Sequence, residues 1–313
     1  MKKTFSRLAW WFVGYLIAVI LFGAWVRIAG AGAGCGNHWP LCNGDVLPTA
    51  SATKTIIEFT HRVTSGLCGL FGIGFVIAAW RMGNQQLLRA ALTTMFFILV
   101  EGFVGAVLVK KELVVNDASV SRAVVIGLHL ANTLFLMAAA TTMAWRASPL
   151  AVGSREINRG LLLAAMGILV LTNVTGAVTA LGDTLFPLTP TLDGSLLAKV
   201  REDLTAGQHF LVRLRVIHPF VAVFSAALLT AVIASIRRKY SGDPAMRKLL
   251  HWPLVLVGLQ VLFGATNIVL AAPGWLQIVH LLGAQLLWVS VCATYLSLAR
   301  PSALSTIDPL ALR

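Results

Sequence analysis

The sequence predicts an all-α polytopic membrane protein: eight transmembrane helices forming two pseudo-symmetric four-helix bundles, with N- and C-termini cytoplasmic. Three observations carry this expectation. Hydrophobic residues make up 58% of the 313 and charged residues only 12%, with a mean hydropathy of +0.82, so too few polar side chains exist to coat a water-facing surface. The apolar residues come in blocks of about twenty, the length that crosses a hydrocarbon core of about 30 Å. Small-residue and histidine marks recur about 155 residues apart. The net charge of +13 would suggest nucleic acid in a soluble chain, but Lys and Arg sit between apolar blocks rather than among clustered aromatics, so no nucleic-acid partner is expected.

Each span is an apolar run bounded by charge, read to within about four residues. The first, roughly 8 to 28, follows Lys2, Lys3 and Arg7 and stops at Arg27. Gly32-Ala33-Gly34-Cys35 has a weak likeness to a lipoprotein cleavage site. The apolar block from Leu8 to Val26 is longer than a signal core, however, and Arg27 interrupts before the cysteine, so a retained helix is expected. The second span, roughly 56 to 80, lies between Lys54 and Arg81, and the third, roughly 88 to 109, between Arg89 and Lys110-Lys111. The fourth, roughly 122 to 146, opens at Arg122 and closes at Arg146, and the fifth, roughly 160 to 181, follows Arg155 and Arg159. The sixth, roughly 213 to 236, ends at Arg237-Arg238-Lys239; the seventh, roughly 250 to 271, follows Arg247-Lys248; the eighth, roughly 276 to 299, ends before Arg300.

With the N-terminus inside, fifteen of the twenty-five basic residues fall in the cytoplasm. Arg27, Lys54, Arg62, Lys110, Lys111, Arg122, Lys199, Arg201, Arg213 and Arg215 remain near the outer ends of spans, available for a role there.

The repeat organises the rest. Gly23-Ala24 in span 1 answers to Gly176-Ala177 in span 5, and Glu101 with Gly105-Ala106 in span 3 answers to Gln260 with Gly264-Ala265 in span 7. His61 pairs with His218 and His129 with His280, so residues 1–150 and 151–313 form two halves in the same orientation. The Gly-Ala pairs are expected to serve close helix packing.

Of seven histidines, His38, His209 and His251 fall in loops or at a cytoplasmic helix start. His61, His129, His218 and His280 lie a short way inside the outer ends of the even-numbered spans, at a common depth of about 6 to 11 Å. Ionisable groups inside a membrane are costly and face partners in the bundle interior, and four of them, one per even span, read as ligands. Zinc or copper wants three or four donors around one ion, often with carboxylates, whereas two imidazoles on facing helices suit the axial positions of a heme iron. Heme propionates need cations, and Arg27, Arg62, Arg213 and Arg215 share the outer layer; interfacial anchoring is the alternative role for them.

Glu58 precedes His61 by three, so carboxyl and imidazole share a helix face. A carboxyl among apolar neighbours suits a proton acceptor or a stabiliser of developing positive charge; a helix-start acid favoured by the dipole is the structural alternative. Glu101, deep in span 3, ranks below it as a hydrogen-bonding residue. Cys35 and Cys42 flank the Trp39-Pro40 unit in the first outer loop, on the oxidising side, where a structural or redox-active disulfide is expected. Cys68 and Cys292 read as small buried hydrophobes.

With these residues in view, the chain resembles the heme A synthase family over essentially its whole length. The resemblance rests on Val26-Arg27 and the glycine-rich run to Cys35, Trp39-Pro40-Leu41-Cys42-Asn43-Gly44, Glu58-Phe59-Thr60-His61-Arg62, and His129, His218 and His280. It implies conversion of the C8 methyl of heme O to the formyl of heme A by successive two-electron oxidations with water-derived oxygen, in the biogenesis of cytochrome c oxidase. It further implies His61 and His129 as ligands of the substrate heme, His218 and His280 as ligands of a resident heme b, Glu58 as the essential acid, and Cys35–Cys42 as a loop pair. Departures stand at Ala29 and Ala31 in place of hydroxyl residues, at Glu101 in place of a more usual Gln, and in the 182–212 loop, which lacks a second cysteine pair.

The expected enzyme is thus an oxidoreductase of the cell membrane with its heme sites toward the extracytoplasmic side. Its partners are heme O, an unidentified electron acceptor and a heme O synthase (protoheme farnesyltransferase) that hands over substrate, with a homo-oligomer left open. A bis-histidine cytochrome b passing electrons to or from quinone is the alternative, and a heme transporter or chaperone the third reading. The unequal halves favour the enzyme, since only the first places an acid beside its histidine.

Overall fold

The computed structural model describes residues 2–48, 52–148, 159–187, 200–201 and 203–298. Arg155, Lys199, Arg300 and Arg313, the junction of the two expected halves at 150/151, and residues 188–199 of the 182–212 loop lie outside them.

Every regular element among the described residues is a helix: α1 (Lys2–Ile28), α2 (Thr53–Arg81), α3 (Gln85–Lys110), α4 (Val120–Ala147), α5 (Arg159–Leu185), α6 (Phe210–Arg215), α7 (Ile217–Lys239), α8 (Pro244–Val269) and α9 (Gly274–Leu298). Counting α6 and α7 as one span, eight helices are long and apolar enough to cross a membrane. Helices are the form expected there, because hydrocarbon offers backbone groups no partner and a helix satisfies them within one segment. The chain is a multi-pass membrane protein.

Local chemistry places the ends further out than apolar blocks alone suggest. Helix α8 begins at Pro244, six residues before the expected start, because the Asp243 side chain accepts from the Ala245 and Met246 amides (2.9 and 3.1 Å) and Pro244 needs no donor in the first turn. Asn84 caps α3 through the Leu87 amide (3.0 Å), and Ser119 caps α4 through the Arg122 amide (3.1 Å). The sixth span, expected as one helix, breaks at Val216. Pro219 has no N–H to offer the Arg215 carbonyl and its ring crowds that oxygen.

Helices α1 to α4 close into a ring of neighbours, α1 on α2, α2 on α3, α3 on α4 and α4 on α1; α5, α7, α8 and α9 close in the same order. The two sets meet where α4 packs on α5 and α9, and α1 on α9. Accordingly α4 and α9 are the most buried spans, whereas α3 and α8, at the periphery, are among the least. Small residues permit the close approach: Ala140 and Ala144 on α4 are fully buried. The Trp288 indole donates to the Leu134 carbonyl (2.7 Å), a buried bond joining α9 to α4.

Candidate functional site

His61 on α2, His129 on α4, His218 on α7 and His280 on α9 all line one continuous cavity of about 1230 Å³ between the two helix sets. That exceeds the roughly 300–1,000 Å³ typical of a single small-ligand pocket. The histidines lie six to nine residues inside the starts of α2, α4, α6 and α9, about 9 to 14 Å along a helix, slightly deeper than expected because those helices start earlier. His61 lies within electrostatic range of His129, and His218 of His280. Among the described residues no three His, Cys, Asp or Glu side chains converge on an ion-sized position. The imidazoles therefore present themselves as pairs across a large space rather than as a compact ion cage.

The repeat marks acquire a specific purpose. A Cβ on Gly23 would stand 3.0 Å from His61 Cε1, and a Cβ on Gly176 would stand 3.0 Å from His218 Cε1. Gly23 and Gly176 each vacate the space that a neighbouring helix's imidazole occupies. At Gly264 the matching distance to His280 is 3.6 Å, and around Gly105 no such neighbour lies within 4 Å. Room for a ring thus accounts for Gly23 and Gly176, but not for Gly105.

Glu58 is buried and lines the cavity, but its surroundings are not the apolar ones expected from sequence. Its Oε1 accepts from Arg62 Nε (3.1 Å) and from the Arg62 terminal nitrogen (2.5 Å), and its Oε2 from the Cys35 amide (2.9 Å). Arg62 also donates to the His38 and Leu41 carbonyls (2.5 and 2.6 Å), so one guanidinium ties the carboxylate to the loop above it. The Cys35–Cys42 disulfide is present, with both cysteines buried. Gly34 brings the loop against α2: an added Cβ there would collide with the Lys54 carbonyl, and the Thr55 hydroxyl donates to the Gly34 carbonyl (2.8 Å).

The four outer arginines divide. Arg27 lines the cavity and crosses from α1 to the other set, donating to the Ala180 carbonyl (2.6 Å), to Thr184 and to Gln277 Oε1 (2.8 Å). Arg215 lines it too, forked onto Asp203 (2.8 and 2.7 Å) and 3.6 Å from Asp183. Arg62 lines it while engaged with Glu58, whereas Arg213 is exposed and does not reach the cavity. Residues two apart on a helix point to nearly opposite sides, so Arg213 and Arg215 do not both face inward.

Sequence reasoning missed one participant and gave two others too little weight. Thr175 Oγ1 lies 3.1 Å from His218 Nδ1; its only signal was its place beside Gly176 in the repeat mark. Arg122, nine-tenths buried and cavity-lining, donates to the Val115 and Asp117 carbonyls (2.8 and 2.6 Å) and shapes the turn before α4. Glu101 was noted but ranked low, yet its Oε1 lies 3.4 Å from His129 Nδ1.

Leu99 and Phe103 on α3, and Phe220 and Val223 on α7, line the cavity and are also exposed on the apolar outer surface, so the cavity opens sideways toward lipid. Fold and site together define a class: multi-pass membrane helix bundles that present paired histidines to a shared, laterally open interior. Within that class, the chain belongs to the COX15-CtaA family, described as cytochrome oxidase assembly protein, whose model matches residues 6–292. It is 44% identical over 294 residues to a protoheme IX farnesyltransferase of Thermus thermophilus, a match covering 91% of this chain and 47% of that protein. The chain thus spans about half the length of the Thermus relatives it matches. It is 29% identical over 308 residues to a heme A synthase of Halalkalibacterium halodurans, covering 92% of this chain and 95% of that one. Over 96 residues, 30% of the chain and 32% of the relative, it is 44% identical to a heme A synthase of Alkalihalophilus pseudofirmus.

Proposed function

We propose that this protein is a heme A synthase, an oxidoreductase that converts the C8 methyl of heme O to a formyl group during cytochrome oxidase assembly. The observation that carries the reading is the cavity itself: about 1230 Å³ lined by two histidine pairs, with a buried carboxylate beside the first and exposed apolar side chains at its edge. The family and the end-to-end match to a protein named heme A synthase support it.

His218 and His280 would hold a resident heme b, which when bound supplies one-electron transfer. Their fit is favoured by Gly176, which leaves the His218 ring its space, and by Thr175, whose hydroxyl faces Nδ1 and leaves Nε2 for a metal. His61 and His129 would bind the substrate. Each half then corresponds to a role, 1–150 for substrate and 151–313 for the resident group. Arg27 and Arg215, on the cavity wall, are the best-placed partners for carboxylate side groups of the porphyrins, with Arg62 and the exposed Arg213 less directly available.

Each oxidation adds the oxygen of a water and releases two protons and two electrons: methyl to hydroxymethyl, then hydroxymethyl to a hydrated aldehyde that loses water. Glu58 is held as an acceptor by Arg62 and the Cys35 amide, one helical turn from His61. From there it stabilises positive charge growing at the reacting carbon, or takes a proton from the attacking water. The disulfide-closed loop fixes the Cys35 donor against Glu58. We place the histidine layer toward the extracytoplasmic face of the cell membrane, following the distribution of basic residues. A Thermus relative twice as long and named for protoheme farnesylation supports direct delivery of heme O by a farnesyltransferase.

The two-site division is tested by loading purified protein separately with heme b and heme O. His218→Ala/His280→Ala should lose heme b and keep heme O, and His61→Ala/His129→Ala should do the reverse. Equal loss of both hemes in either variant contradicts the division. Retention of heme O unchanged by a protein that turns over nothing favours a cytochrome b carrier.

A further inference from the structure

The two histidine pairs differ in what faces the far nitrogen of one ring. In the C-terminal set it is a hydroxyl, Thr175 Oγ1 at 3.1 Å from His218 Nδ1. In the N-terminal set it is a carboxylate, Glu101 Oε1 at 3.4 Å from His129 Nδ1. That contact lacks the alignment of a hydrogen bond, and the Nδ1 atoms of His61 and His280 also make none. A charge-assisted hydrogen bond of about 2.8 Å is only about half an ångström shorter.

Glu101 is held from two further directions. The Thr133 hydroxyl donates to its Oε1 (2.5 Å), and the Asn132 amide donates to its Oε2 while also bonding the Phe97 carbonyl (3.1 Å). Both donors, Asn132 and Thr133, come from the stretch of α4 that follows His129 itself. The second set does not reproduce this. Gln260, at the position matching Glu101, leaves its amide nitrogen without a hydrogen bond and abuts Gly283, the residue matching Asn132. The carboxylate and its holder are therefore both particular to the N-terminal set.

We propose that Glu101 is a positioning residue for His129: it accepts a hydrogen bond from the ring's Nδ1–H, directs Nε2 toward iron, and makes this imidazole a stronger electron donor than its counterpart His280. A carboxylate behind a metal-bound imidazole fixes its tautomer and raises its basicity. An iron held by His61 and His129 is accordingly biased toward its ferric form relative to one held by His218 and His280. The inference rests on the heme-binding reading above, and gives the two chemically similar sites different potentials.

The test uses the purified full-length protein loaded with heme b and heme O, titrated spectroelectrochemically, with low-temperature EPR of the ferric state. Glu101→Gln should weaken the ferric preference of one heme by about tenfold, a rise of about 59 mV in its midpoint, and leave the other unmoved. The component that shifts should be the one lost in His129→Ala. Asn132→Ala, which keeps the carboxylate but frees it, should move the same component in the same direction by less. Thr175→Val should act on the other component alone. Two retained hemes with unshifted midpoints in Glu101→Gln, or equal shifts of both, overturn the role of Glu101. A His129→Ala protein that keeps every heme signal overturns the heme reading itself, so the two failures are distinguishable.

Discussion

Replacing Gly176 by Ala tests whether the repeat glycines exist to seat a ligand ring. The new Cβ would lie 3.0 Å from His218 Cε1, 3.4 Å from Nε2 and 3.5 Å from Nδ1. Carbon atoms rest at about 3.5 to 4.0 Å, so the ring must withdraw by about half an ångström at its closest atom. Metal–ligand distances tolerate about 0.2 Å, which makes that displacement more than an iron–nitrogen bond absorbs. The Thr175 contact to Nδ1, on the adjoining residue of α5, opposes a turn of the ring as an escape. We expect heme b affinity to fall about 10- to 100-fold, about 1.4 to 2.7 kcal/mol, with the helices intact. The assay is titration of heme b into apo protein in detergent, followed by the low-spin Soret band, with circular dichroism as the fold control. Gly23→Ala should act in the same way on the N-terminal site, and Gly74→Ala, exposed with no atom within 4 Å of the added carbon, should change neither. Wild-type affinity and an unaltered spectrum in Gly176→Ala would refute the reasoning.

Glu58→Ala should retain heme b but accumulate heme O or its hydroxylated product, read by chromatography of extracted porphyrins; a normal heme A yield removes Glu58 from the mechanism. His280→Met should alter the heme b spectrum before it affects capture of heme O, and a change confined to heme O would reverse the assignment of the pairs. Cys35→Ser/Cys42→Ser should cost the outer loop about 2.5 kcal/mol of conformational restriction for a closed loop of about eight residues. Faster protease cleavage within 29–48 and lower turnover are expected, because the Cys35 amide no longer holds Glu58; undiminished turnover with a cleaved loop would separate the two.

The eight spans and the four histidines are legible in the sequence because both depend on one-dimensional facts, the length of an apolar run and the cost of placing an ionisable group inside it. The loop disulfide is legible for a similar reason, as a close pair in an outer loop. What escapes is set by chemistry at the ends and by contacts between distant helices. Asp243 and Pro244 extend α8 through a cap that hydropathy does not register, and Pro219 breaks the sixth span within a stretch whose overall hydropathy still reads as one span. The recurrence of Gly23 at Gly176 is visible in the chain, but its reason requires knowing that α1 faces α2 and α5 faces α7. Arg62 reads equally as a cation for a ligand or for Glu58; only the fold shows it occupied by Glu58 and two loop carbonyls. That the two histidine pairs share one cavity, bridged by Arg27 reaching from α1 to α5 and α9, follows from packing between sets more than a hundred residues apart in the chain.

The most direct test of the central claim is to express the full chain with a heme O synthase, purify it in detergent, and identify the extracted porphyrins by chromatography and mass. Heme b together with heme O, hydroxylated heme or heme A is the predicted outcome. Heme b alone, with heme O available in the same membranes, would contradict it and leave an electron carrier in its place.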